Sequence, residues 1–223
     1  MDRTHGSRRS RLTDTAPEPG ADELIDGLLA RCTFPEAIPE SGGTGTDGAV
    51  AGVSGGADSL ALLVLARAAG LAVIAVHVDH GLRSGSAEEA AVVEAAARRF
   101  GAGFRSEAVS IEPGGDLEQR ARDARLALLG PGAMTGHTAD DQAETLLLNL
   151  LRGAGPAGLG AIEPGPRHPI LALRRHETEA VCRAVGLEPV SDPSNRDPRF
   201  RRNRVRHELL PLMADIAERD PVP

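Results

Sequence analysis

The chain contains no lysine; all 25 of its basic residues are arginine. No enzyme lysine can serve as base, nucleophile or Schiff-base former. Any cation that contacts phosphate must do so as a planar guanidinium fork rather than a point charge. Genomic composition suffices as the reason for most of these arginines. Tryptophan and tyrosine are also missing, and aromatics make up only 2%. A base-stacking platform for single-stranded nucleic acid needs aromatic faces, so that class is disfavoured. The core must be built from Ala, Leu, Val and Ile. At 41% hydrophobic over 223 residues there is enough of them for one α/β domain and a smaller appendage. The two cysteines, Cys32 and Cys182, lie far apart and form no CxxC, metal-ligand spacing or disulfide framework. A reducing cytoplasm is the expected location. No apolar run approaches the ~20 residues that a membrane span needs. Arg8, Arg9 and Arg11 are not followed by an apolar signal core. The net charge of −7 argues against a surface coated for nucleic acid, while leaving room for a local basic patch.

What is present is a strand–helix alternation. Residues 1–21 are polar and read as disordered. Residues 22–31 have helical spacing, and 35–48 form a Pro/Gly/Thr-rich loop. Strands are expected at 49–53, 71–76, 104–109 and 133–135. Helices are expected at 60–69, 87–99, 117–129 and 139–152, with Gly70, Gly101 and Gly153 closing three of them. Such alternation predicts a Rossmann-like parallel sheet with helices on both faces. Beyond 153 come a Gly/Pro-rich linker and helices at 175–185 and 203–218. The expected divisions are a polar segment with one short helix (1–47), an α/β domain (48–166) and a helical, Arg-rich C-terminal extension (167–223).

Three polar loops, at 54–59, 79–83 and 136–141, each follow a predicted strand. They should meet at the carboxyl edge of the sheet, where such folds bind ligands. In the first, Ser54-Gly55-Gly56-Ala57-Asp58-Ser59 has two glycines that bring backbone N–H groups close to an anion, at the positive end of the next helix. The Ser54 and Ser59 hydroxyls can donate to phosphate. Asp58 repels phosphate unless it caps the helix or holds a bridging Mg²⁺. A Gly-rich turn without ligand is the plainer alternative. With no lysine and no GxGxxG, the loop is neither a Walker A nor a dinucleotide motif.

The loop at 136–141 opens a helix with Thr138 and Asp141 as a capping pair. His137, Asp141 and Glu144 stand at spacings of four and three, on one face. The helix dipole accounts for one or two acids at a helix start. It does not account for a histidine with three acids beside a nucleotide-like loop. Such a cluster can bind a cationic substrate or a metal, or deprotonate an amine. Residues 196–206 carry six arginines and one acid. They are either a solvated helix end or a phosphate-binding patch on RNA.

In order, VSGGADS (53–59), HVDHGLR (77–83), LEQRARDAR (117–125), GHTADDQAETLLLNLLRG (136–153) and DPSNRDPRFRRNRVRHELLP (192–211) resemble the motifs of bacterial tRNA(Ile)-lysidine synthetases, a branch of the PP-loop ATP pyrophosphatases. The resemblance covers roughly 49–213. It implies a ligase that adenylates the C2 oxygen of the wobble cytidine in tRNA(Ile) with a CAU anticodon, releasing pyrophosphate. The ε-amine of free L-lysine then expels AMP, and the product lysidine pairs with A. It further implies ATP held by Ser54, Gly55, Gly56, Ala57, Asp58 and Ser59, with His80 and Arg83 assisting and Asp58 near Mg²⁺. Asp58, His137, Asp141 and Glu144 become the catalytic candidates, with the last three also binding lysine. Arg199, Arg202 and Arg206 become the tRNA-binding candidates. A homodimer is compatible with the sequence.

The chain departs from the family pattern at Leu126, where Tyr is usual, and at His168-Pro169-Ile170-Leu171, where Arg-Pro-Leu-Leu is usual. The helix before Gly136 is expected to be trimmed, and a further tRNA-contacting domain is expected to be missing. The rival readings are a thiolation-type PP-loop enzyme, disfavoured by the lack of paired cysteines, and a nucleotide-binding fragment without catalysis.

Overall fold

The computed structural model describes residues 20–36, 48–79, 86–109, 124 and 127–222. The expectations for residues 1–19, most of the 35–48 loop and most of the 117–129 helix lie outside the described residues, as do His80 and Arg83. In chain order the elements are α1 (Ala21–Leu29), β1 (Ala49–Gly52), α2 (Ala57–Ala68), β2 (Val73–Asp79), α3 (Ser86–Arg99), β3 (Gly103–Ala108), β4 (Met134–Thr135) and α4 (Ala139–Leu151). They continue with α5 (Arg175–Ala184), α6 (Arg201–Arg204), a π-helical turn (Val205–Leu209) and α7 (Leu210–Ala217).

The four strands form one sheet in the order β3-β2-β1-β4, and every pairing is parallel. The chain runs from β1 outward through β2 to β3, then returns to add β4 on the other side of β1. The strand order therefore reverses between β1 and β4. Loops leaving two such strands diverge and open a crevice at their carboxyl ends. The loops concerned are 53–56 and 136–138, the two that carry the strongest motifs.

The core follows from composition. With few rings available, α2 is buried almost all round, from Leu60 to Ala66. It packs on Ala51, Val73 and Ala75 of the sheet, on Val93, Ala96 and Ala97 of α3, and on Ile25 and Leu28 of α1. Ile170, Leu173, Val181, Cys182 and Val185 belong to the same cluster, so the segment around α5 is built into the core of the α/β unit. On the opposite face of the sheet, Val76 packs with Leu129 and Ala133, flanked by Val50, Ile74 and Val78.

The C-terminal helices form one rod with a widened middle. In the π-helical turn, the Leu210 N–H donates to Val205 O, five residues back. Pro211 follows at once; its ring and missing N–H disrupt a regular α-turn, and the wider turn accommodates it. Such turns are frequent at functional sites. This one carries Arg206. Among the described residues, no helix is long and apolar enough to cross a membrane.

Candidate active site

The crevice is a cavity of about 810 Å³, within the range of small-molecule sites. Its floor is the 54–59 loop, and its walls include Val76, Leu129, His137, Asp141 and Arg175. The loop is held by its own residues. Ser54 N–H donates to Ser59 Oγ at 3.1 Å, the two hydroxyls lie 3.2 Å apart, and Ser59 Oγ–H donates to Gly56 O at 2.9 Å. Ser59 is buried and braces the turn, while Ser54 is exposed to a ligand. Gly55 adopts φ +88°, in the left-handed region where an L side chain is strained. Its carbonyl accepts from Val190 N–H, so the C-terminal segment closes over the loop. α2 begins at Ala57. The first N–H groups of a helix have no acceptor within it and, with the dipole, favour an anion here.

Gly136 makes the second loop possible. A Cβ there would stand 2.8 Å from Asp58 O and 3.0 Å from Ser59 Cα. Only glycine lets β4 pass this close to the start of α2, and the close pass sets the acidic helix against the phosphate loop. The capping expected of Thr138 is present: Asp141 Oδ2 accepts from the Thr138 N–H at 2.9 Å and from its hydroxyl at 3.0 Å. Asp141 and Glu144 are buried on one face of α4, with Glu144 at 0% exposure.

These carboxylates meet three arginines from the C-terminal part. Arg175 reaches Asp58 (3.4 Å), Asp141 (3.2 Å) and Glu144 (3.2 Å). Arg202 reaches Asp141 at 3.0 Å and Glu144 at 2.7 Å. Arg206 holds Glu144 at 2.6 Å through Nε and at 3.0 Å through Nη2. Three acids thus face three guanidiniums, and the cluster is close to neutral. Burial would raise the Asp141 carboxyl, but the charges of Arg175 and Arg202 with the Thr138 N–H hold it below the usual value. Asp58 goes the other way: burial raises it, and the hydrogen bond from Thr178 with the nearby Arg175 offsets this only in part.

His137 stands at the mouth of α4. Its Nδ1 lies 2.8 Å from Thr135 Oγ1 and 3.1 Å from His168 Nδ1, with the two rings edge to face. The structure therefore gathers the 54–59 loop, Asp58, His137 and Asp141 at one cavity, while Glu144 is buried behind them and borders a neighbouring cavity. Arg199 projects outward at 86% exposure and pairs with Asp197. Arg202 and Arg206 instead turn inward to the acids, a partnership that their sequence position did not indicate. Arg175, Thr178 and His168 are site residues that motif reading missed. Arg174-Arg175 directly before a helix was the available signal. Among the described residues, no group of three His, Cys, Asp or Glu side chains is arranged to hold a metal ion.

A parallel sheet with a self-braced SGGADS loop at its reversal point defines a PP-loop nucleotide-site architecture. The family profile of the PP-loop domain matches residues 37–213, and the chain belongs to that family. Its similarity is to proteins named tRNA(Ile)-lysidine synthase. That of Nocardia farcinica is 45% identical over 175 residues, covering 74% of this chain and 54% of the relative. That of Corynebacterium glutamicum is 41% identical over 179 residues (77% and 57%), and that of Pseudomonas aeruginosa 45% over 180 residues (72% and 40%). The chain spans about half the length of the curated relatives it matches. Among solved structures, the U34-tRNA thiolase NcsA of Methanococcus maripaludis, with its [4Fe-4S] cluster, matches with TM-score 0.59 at 15% identity. It covers 88% of this chain and 72% of that one, a likeness of fold.

Proposed function

We propose that the cavity is the ATP-activating and amine-transfer centre of a tRNA(Ile)-lysidine synthase. The observation that carries the reading is the meeting of the phosphate loop and the acidic helix in a single cavity. The triphosphate lies on the 54–59 loop. The C2 oxygen of the wobble cytidine attacks the α-phosphate, pyrophosphate leaves, and the ε-amine of free lysine then displaces AMP. Backbone N–H groups at the start of α2, aimed at the phosphates, favour the charge that develops there.

Magnesium is held by one or two carboxylates together with substrate phosphates. Asp58 fits that demand, because it lines the cavity and its Oδ2 is held by Arg175 Nε only at 3.4 Å. The ion would neutralise phosphate charge there. Glu144 and Asp141 already accept from guanidiniums, so a lysine ammonium gains net attraction only after an arginine moves. Arg175 and Arg206 line the cavity. Both turn to the triphosphate when ATP enters, which uncovers the carboxylates and sets ATP before lysine. Exposed Arg199, together with the exposed Arg196, Arg201 and Arg204, contacts the tRNA backbone. The protein works in the cytoplasm.

A sulfur-transfer reading is disfavoured by the thiols themselves. Burial pushes Cys32 up to about 11 and Cys182 up to about 12, far from thiolates. The test is incubation of the chain with ATP, Mg²⁺, labelled lysine and tRNA(Ile) bearing CAU. Label entering tRNA is expected. Pyrophosphate release indifferent to both lysine and tRNA overturns the reading.

A further inference from the structure

The amine that attacks C2 begins as an ammonium ion and must lose a proton. Asp141 and Glu144 keep Arg202 even when Arg175 and Arg206 turn to the triphosphate, and they hold the ammonium rather than take its proton. Charges and groups facing His137 include Asp141 in the first turn of α4, Asp58 at the start of α2 and Arg175 at the start of α5. His77 and Asp79 on β2 and Arg206 and His207 on the C-terminal rod also line the cavity, with Glu89, Glu179, Asp192 and Arg196 as the remaining charged lining. Imidazole has the right basicity for proton removal near neutral pH, and His137 does not stand alone.

Thr135 Oγ1, His137 Nδ1 and His168 Nδ1 form a triangle with edges of 2.8, 2.8 and 3.1 Å. Two imidazole nitrogens at 3.1 Å cannot both carry a proton on the facing side, so one must be a lone pair. The Thr135 hydroxyl has one proton, for which the two rings at 2.8 Å compete with the Arg167 carbonyl at 3.3 Å; when it donates to one ring it accepts from the other. The triangle is therefore satisfied by either of two proton placements, with the roles of the rings exchanged. Thr135 sits at the end of β4 and His168 in the segment between α4 and α5, where the Arg167 carbonyl accepts from Thr135 N–H at 2.9 Å. Backbone pairing thus fixes the distance between the rings.

We propose that His168 is the proton-sharing partner of His137. This rests on the amine-transfer reading of the cavity. In the productive placement, His137 carries its proton on Nδ1 and offers the Nε2 lone pair. Nε2 takes a proton from the lysine ammonium, leaving a neutral amine. The Nδ1 proton of His137 passes to His168 Nδ1, directly or by exchange through the Thr135 hydroxyl. His137 ends neutral with its proton on Nε2, and the positive charge ends on His168.

The experiment has two arms. The first is histidine ¹⁵N NMR of the intact chain, without nucleotide or tRNA, titrated from pH 5 to 9. His137 is identified by its loss in His137→Asn. Wild type should show His137 and His168 titrating as a coupled pair in two macroscopic steps. His168→Asn and Thr135→Val should each change the His137 titration, while Thr135→Ser should preserve it. A His137 curve identical in wild type and His168→Asn overturns the proposal, whatever the reaction is. The second arm follows lysine transfer separately from pyrophosphate release. His168→Asn and His168→Arg should slow transfer by roughly 10- to 100-fold near pH 7 and move its acid limb, by more than either changes pyrophosphate release. An unmoved pH profile for transfer also overturns it. If the coupled titration is seen but no lysine reaches tRNA, the fault lies with the functional reading and not with the pair.

Discussion

The phosphate loop and the arginine–carboxylate cluster share a wall of one cavity but are built in opposite ways. The loop is braced within six consecutive residues, by Ser54, Gly56 and Ser59. The cluster draws Asp58, Asp141, Glu144, Arg175, Arg202 and Arg206 from the starts of α2 and α4, from α5, and from the C-terminal rod. A locally built site should survive loss of any distant residue. A cluster assembled from four places should couple stability to function at its buried members, Asp141 and Glu144.

The largest effect is expected at Glu144. Glu144→Ala leaves Arg175, Arg202 and Arg206 with one buried carboxylate fewer, and removing one partner of a buried pair costs about 3–5 kcal/mol. Urea unfolding measures this; a loss under ~1 kcal/mol would mean the cluster is solvated and dispensable. Next comes Gly136→Ala. Its Cβ collides with Asp58 backbone atoms, and overpacking of this kind costs about 1–3 kcal/mol. Because the collision pushes the two loops apart, ATP affinity should fall as well, read by calorimetry. Intact affinity would show that the close pass does not set the site.

The third prediction concerns the order of binding. Lysine should bind more tightly when a non-hydrolysable ATP analogue is present, by the 5- to 150-fold typical of coupled sites. Equal affinity with and without the analogue would leave the arginines as structural props. A smaller effect is expected at Asp58. Its raised carboxyl means that the charged form is disfavoured in the fold, so Asp58→Asn should unfold no more easily than wild type while losing pyrophosphate release. The pH dependence has the opposite sign for Asp141, whose folded value lies below its unfolded one. Its contribution is present above the ordinary carboxylate range and is lost as pH falls through the depressed value. Thermal melts should drop on that acid side, and less so in Asp141→Asn. The smallest stability effect belongs to Arg199→Ala, an exposed residue. It should leave melting unchanged while lowering the salt slope of tRNA binding by up to ~0.7–0.9.

The same contrast governs what could be read from sequence. Strand–helix alternation and glycine closures predicted most elements to within a few residues, because those signals are local. The 54–59 loop and the Thr138–Asp141 cap were legible for the same reason. Spacings of three and four put Asp141 and Glu144 on one face of α4, where both are buried, while His137 lies just before the helix. No local pattern says that Arg175 and Arg202 cross to those acids. That follows from α5 being buried against α2 and from Pro211 widening the turn that carries Arg206. An arginine-rich stretch looks like a surface patch until packing assigns each guanidinium a partner.

The most direct test of the central claim is single-turnover pyrophosphate release by this chain with Mg²⁺–ATP, measured with and without tRNA(Ile) bearing CAU. A burst that requires the tRNA, yields AMP only after lysine is added, and disappears in Asp58→Asn is the predicted result. A burst of equal size without tRNA, or one that survives Asp58→Asn, would contradict the account.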